Sequence, residues 1–247
     1  MGLTYDVIIN CIGVESRNKI NCDFKSYFNI TEKFDNMVIA YLLEKNPQAL
    51  YISFSSGAVY GKGFSEPATE FSMNYLDVNH IVQEDYYGIA RINAETKHRA
   101  NRELRIIDLR VFSYFSRFIN LSDGFFITDV IQAVLNKEVL ITDDTNIVRD
   151  YVHPKDLFTL ILKCIDAGYL NIAFDVSSKM PVSKQKILEF FSSEYDLKYE
   201  VRNSLLNASA TGQKNNYFSR YYNAFPIGYK PQYASIDTIK EQVGLIL

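Results

Sequence analysis

The run Ala49-Leu50-Tyr51-Ile52-Ser53, followed closely by Ser55-Ser56-Gly57-Ala58-Val59-Tyr60-Gly61, constrains the fold more than any other stretch of the chain. A short, continuous apolar segment that ends in a small-residue turn reads as a strand of a parallel sheet, buried on both faces, whose carboxyl end opens into a site. Ser56 then stands at a strand end. Arg105-Ile106-Ile107-Asp108-Leu109-Arg110-Val111-Phe112 reads as a second strand of this kind, and 173–176 as a shorter one. Before them, 28–44 has the period of an amphipathic helix with Phe34, Val38, Tyr41 and Leu42 as its apolar stripe. The expectation is an α/β fold.

Around Tyr87, the sequence YYGIARINAETKHRA holds good helix formers and no proline, so Tyr87, Arg91 and Glu95 fall on one stripe at i, i+4 and i+8. A tyrosine has an ordinary pKa of about 10 and accepts a proton at neutral pH only where a nearby positive charge favours the phenolate. Arg91 offers such a charge, and a serine hydroxyl within reach can orient a substrate oxygen while the tyrosine exchanges its proton. That is acid–base work suited to hydride transfer. The same pair on an exposed helix would carry no chemistry.

Four blocks in order resemble the extended short-chain dehydrogenase/reductase family, the nucleotide-sugar epimerases, dehydratases and reductases. Asp6-Val7-Ile8-Ile9-Asn10-Cys11-Ile12-Gly13 is similar to its strand that passes close to the cofactor, and SSGAVYG to its serine-bearing strand end. YGIAR with Ala94-Glu95 is similar to its catalytic helix, and Val148-Arg149-Asp150-Tyr151-Val152-His153 to its arginine segment. The resemblance spans roughly 6–168. It implies a Rossmann-like parallel sheet flanked by helices, with 1–113 a partial NAD(P)-binding domain and 114–247 a substrate-binding region interleaved with the last strands. Ser56, Tyr87 and Arg91 fall on the catalytic positions. Cys11, Ile12, Gly13 and Ser55, with Tyr87 and Arg91, fall on positions facing NAD or NADP. Ser113 and Arg149 fall on substrate positions, Arg149 as the guanidinium for a nucleotide diphosphate. An ion pair with Asp150 or Asp156 is the structural alternative for Arg149.

Two departures matter. Arg91 stands where the family nearly always has lysine, and a guanidinium neither deprotonates nor matches an ammonium in shape. No glycine-rich turn between a strand and a helix precedes residue 6, although such a turn carries the cofactor pyrophosphate in dinucleotide folds. The expectation is therefore an N-terminally truncated Rossmann sheet whose segment 7–11, VIINC, is an apolar edge. A non-catalytic relative with a binding or assembly role is the competing reading, and an enzyme whose sheet is finished by a separate chain is a third. The family also implies a homodimer through the catalytic helix and the one before it.

A net charge of −3 carries no basic footprint for nucleic acid, so small molecules are the expected partners. No signal peptide and no long apolar span is visible, which favours a cytoplasmic protein away from membranes. Cys11, Cys22 and Cys164 lack metal or redox spacing, and Cys11 reads as part of the buried strand. His80, His98 and His153 form no metal motif; His153 reads as a hydrogen-bonding residue. The stretch 61–83, with Pro67, Asn74 and Asn79, reads as a loop over the site. Helices are expected over 123–136, 155–165 and 183–193, the last capped by Ser183. Phe125 and Phe126 are either substrate contacts or core. The tyrosine-rich tail, with Tyr217, Tyr221, Tyr222, Tyr229 and Tyr233, either closes over the nucleotide or packs as an aromatic loop. The sequons at Asn29, Asn120 and Asn207 carry no weight without a signal peptide.

Overall fold

The structure, a computed structural model, describes residues 4–14, 24–202 and 214–247. Cys22 and the sequon at Asn207 lie outside the described residues. In chain order, the first half comprises β1 (Val7–Asn10), α1 (Lys25–Glu44), β2 (Leu50–Ser56), α2 (Gln83–Ala100) and β3 (Arg105–Val111). Then come β4 (Ser113–Tyr114), α3 (Phe126–Asn136), β5 (Leu140–Asp143), β6 (Val148–Arg149), β7 (Tyr151–Val152) and α4 (Pro154–Asp166). The chain continues with β8 (Asn171–Val176), β9 (Val182–Ser183), α5 (Lys184–Tyr195), β10 (Tyr199–Arg202), β11 (Asn216–Tyr217) and α6 (Ser235–Val243).

The central sheet runs β1-β2-β3-β8, and every pair in it is parallel. Its central strands alternate between two apolar layers, as the pleat requires. Leu50 and Ile52 of β2, with Ile107 and Leu109 of β3, face Leu157, Leu160 and Cys164 of α4. Tyr51 and Ile106 face Val38, Ile39 and Leu42 of α1 on the other side. Covered on both faces, β2 has no use for polar alternation, and this is why ALYIS reads as a continuous apolar run. Leu50, Ile52, Ile106, Ile107 and Leu109 are fully buried, each contributing about 1.5–3 kcal/mol through burial.

A separate apolar cluster joins α3, α5 and α6 around Phe115, Ile131, Phe191 and Ile239. Phe125 and Phe126 pack against it, so both belong to this core. Short ladders knit the C-terminal half together: β5 with β10, β4 with β7, and β6 between β9 and β11. α3 starts at Phe126, three residues later than its pattern predicts. Residues Leu121–Asp123 form a 3₁₀ turn, and Gly124, at a φ of 69°, breaks the path between the two. Ser183 accepts the Lys186 amide and caps α5 as expected. His153 caps α4 by accepting the Lys155 amide.

Among the described residues, β1 pairs only with β2 and forms the sheet edge, with Ile9 exposed. Cys11 follows the strand and is exposed, contrary to its reading as a buried strand residue. The strand ends one residue earlier because Asn10 turns the chain: its Oδ1 accepts the Ile12 amide, and its Nδ2 donates to Tyr51. No helix among the described residues is long and apolar enough to cross a membrane.

Candidate active site

β2 delivers Ser56 to the carboxyl edge of the sheet, where the 3₁₀ turn Gly57–Tyr60 begins. Ser56 caps this turn, its Oγ accepting the Ala58 amide at 3.2 Å. Two glycines let the surroundings close around it. A Cβ on Gly57 would lie 2.3 Å from the Phe112 ring, and a Cβ on Gly88 would lie 2.6 Å from the Ala58 carbonyl oxygen. α2 therefore rests backbone to backbone on the serine turn, with Tyr87 next to the point of contact.

The half-buried Tyr87 ring meets Tyr27 edge-on at 5.4 Å and carries the Arg91 guanidinium at 5.3 Å from its centroid. Arg91 is buried, donates from Nη1 to the Phe54 carbonyl at 2.9 Å, and has a buried Nε without a partner among the described residues. Its Nη2 lies 2.8 Å from where a Cβ on Gly13 would stand. One guanidinium thus touches the end of β1, the last turn of β2 and the tyrosine.

Other expected residues sit differently. Ser55 is committed to α2, its Oγ donating to Glu95 at 2.6 Å. Glu95, third on the helix stripe, also takes a bidentate pair from Arg110 of β3. Arg110 continues to Tyr60, Tyr60 to Asp175 of β8, and Asp175 to Ser219 of the tail at 2.6 Å. Ser113 lies in β4, half-buried, in register with Tyr151. Arg149 forms an ion pair with neither Asp150 nor Asp156. It is buried, and its Nη1 donates to the carbonyls of Val148 and Lys214. Asp150 is spent on the Ser178 amide and the Ser235 hydroxyl, and Asp156 on the Gln232 and Tyr233 amides.

Sequence reasoning placed Tyr217 only within a tail that either closes over the nucleotide or packs as an aromatic loop, and did not connect it to Ser56. Its hydroxyl lies 3.1 Å from Ser56 Oγ, and its ring sits among Phe64, Phe112, Lys214 and Arg149. The tail's aromatic density marked the region but not which ring reaches the serine. Ser56, Gly13, Tyr87, Arg91, Tyr217 and Arg149 are thereby gathered around the carboxyl ends of β1 and β2. No cluster of His, Cys, Asp or Glu among the described residues is arranged to hold a metal ion.

A parallel sheet in this order, covered by helices and carrying a serine turn against a tyrosine–arginine helix, defines a Rossmann-like member of the short-chain dehydrogenase/reductase class. The chain belongs to the NAD dependent epimerase/dehydratase family, whose sequence model matches residues 2–175. Comparison with curated protein sequences returns no match. Among solved structures, it is similar to RMD from Pseudomonas aeruginosa complexed with NADPH, at 15% identity and a TM-score of 0.76, covering 97% of this chain and 80% of that one. It is similar to the ADP-L-glycero-D-manno-heptose-6-epimerase of Helicobacter pylori, at 16% identity and a TM-score of 0.78, covering 99% and 73%. It is also similar to the UDP-glucuronic acid 4-epimerase of Bacillus cereus in complex with UDP-glucuronic acid and NAD, at 16% identity and a TM-score of 0.78, covering 98% and 75%.

Proposed function

We propose that the chain modifies a nucleotide-activated sugar, reducing a keto group or epimerising through a transient keto sugar, with NAD or NADP as hydride carrier. The observation that carries this reading is the packing of α2 on the serine turn through Gly88, which sets Tyr87 and Arg91 beside Ser56. In it, Ser56 donates a hydrogen bond to the reacting oxygen and Tyr87 moves the proton. Arg149 holds the diphosphate; among the described residues, its Nε and Nη2 have no hydrogen-bond partner. Ser113 contacts the sugar. Residues 1–113 serve the cofactor and 114–247 the substrate.

The residues present fit the reactive end of such a cofactor. The buried Nε of Arg91, unpartnered among the described residues, leaves a polar group for it near the end of β1, and Gly13 has no side chain to stand between Arg91 and the backbone. Cys11, Ile12 and Gly13 would hold it through their backbone, with Arg91 as the cation. When bound, the group supplies the hydride. The solved relatives support the class: one of them holds NADPH, another NAD with UDP-glucuronic acid.

Calorimetric titration of the chain with NAD, NADH, NADP and NADPH tests this reading. Micromolar binding of one of them is expected, with Tyr87→Phe retaining that binding and losing about 10²-fold or more in turnover of a nucleotide sugar. A folded chain that binds none of the four overturns it. That result would favour a non-catalytic relative, a reading supported by an arginine that already spends Nη1 on Phe54.

A further inference from the structure

The contact between Ser56 and Tyr217 joins residues 161 apart in sequence, and both hydroxyls are buried. The segment that brings Tyr217 there is fastened on both sides. Val148 donates to Asn215 and Asn216 to Phe64, while Ala68 exchanges backbone hydrogen bonds with Phe218 and Arg220. The phenol is thus held in place before any ligand arrives, and its ring is wedged against Phe64 at 4.8 Å and Phe112 at 5.2 Å.

A serine hydroxyl has one proton and two lone pairs. The Ala58 amide takes one lone pair of Ser56. The direction of the Tyr217 contact decides what remains. If Ser56 donated, its proton would point at the phenol and away from substrate. If the phenol donates, both lone pairs are filled and the Ser56 proton alone is free. Two considerations favour the second arrangement. A phenol is a better donor and poorer acceptor than an aliphatic alcohol. Burial, reinforced by the nearby Tyr87, holds the Tyr217 hydroxyl above its ordinary pKa, so it keeps its proton.

We propose that Tyr217 is a positioning residue: it donates its hydroxyl proton to Ser56 Oγ and thereby fixes Ser56 as a pure donor toward the reacting oxygen of the substrate. A serine restricted in this way favours an oxygen that gains negative charge, the carbonyl of a keto sugar on its way to an alkoxide. The inference deepens the reading given above and rests on it for the substrate, while the direction of the hydrogen bond can be read without any substrate.

The decisive experiment replaces Ser56 by a group whose charge can be seen. Ser56→Cys is titrated by ultraviolet thiolate absorbance, with the wild type subtracted for its own cysteines, alone and together with Tyr217→Phe. A phenol that donates stabilises the thiolate, so the double variant should titrate higher by about one unit or more. Equal titration in the two backgrounds overturns the proposal. In turnover of UDP-glucuronic acid, UDP-glucose or an ADP-heptose, Tyr217→Phe should lower kcat by about tenfold or more at unchanged KM. It should cost nothing further once Ser56→Ala is present, whereas additive losses would show a role independent of Ser56 and overturn it. A wild type that binds no cofactor removes the sugar-nucleotide reading, and the thiolate titration then decides the hydrogen bond by itself.

Discussion

Ser56 sits where two backbones and an aromatic ring converge, so the smallest changes at its neighbours should be felt. A methyl group on Gly57 meets the Phe112 ring, which itself leans on Tyr217, and a methyl group on Gly88 meets the Ala58 carbonyl. We expect Gly57→Ala and Gly88→Ala each to destabilise the fold by about 1–3 kcal/mol, read as a shifted denaturant midpoint. Gly88→Ala should also impair turnover, because a backbone rather than a pliable side chain must give way. Gly63, with nothing within 4 Å of an added Cβ, is the control and should tolerate alanine. At this scale, the placement of Ser56 at a strand end and of Tyr87 and Arg91 on one helix was legible because those signals are local. Ser55 and Arg149 were legible as residues but not as contacts. One is tied to Glu95 and the other to the Lys214 carbonyl, partners that adjacency in sequence does not reveal.

α2 does more than carry Tyr87. One turn beyond Glu95 its fully buried His98 bridges Asp35 of α1 at 2.5 Å and Asp108 of β3 at 2.8 Å, while Lys97 pairs with Asp35 and Arg99 with Asp108. Burial alone would lower the imidazole pKa, but the hydrogen bonds and charges of the two carboxylates override it and raise it to about 9. Against an unfolded value of about 6.5, this bridge contributes fully below that pH and fades as the pH rises through 9. Stability should therefore fall by about 3 kcal/mol between pH 6.5 and 9.5, read from urea midpoints across that range. His98→Gln should flatten the slope. It should also cost about 3–5 kcal/mol near neutrality, because two buried carboxylates lose the cation that bridges them. Apolar periodicity found α1 and α2 but gave no warning of this polar seam. Asp35, His98 and Asp108 each look like an ordinary break in a stripe until three elements are laid together.

For the whole molecule, the parallel strands follow from short apolar runs that recur at helix-length intervals; the ends of β1 and β3 were legible to within a residue, whereas β2 runs three residues past the ALYIS segment, to Ser56. The C-terminal half was less so, because most of its ladders hold only two residue pairs, too short for a periodic signal. The edge at β1 has a consequence in solution. With Ile9 exposed and one row of backbone groups unpaired among the described residues, the chain should self-associate at high concentration. Light scattering should report species larger than a monomer, and Ile9→Lys should reduce them without lowering the melting temperature. A wild type that stays monomeric at every concentration would show that the edge is protected.

The distance along the chain between Ser56 and Tyr217 also sets an order of events during synthesis. The serine, the tyrosine helix and most of the parallel sheet leave the ribosome early, whereas the wall that faces the serine belongs to residues 214–219. A nascent chain released before that point would present Ser56 without its hydroxyl partner and Asp175 without Ser219. Completion of the site thus waits for translation past residue 219, and a product ended before that point is left with a pocket that has no far side.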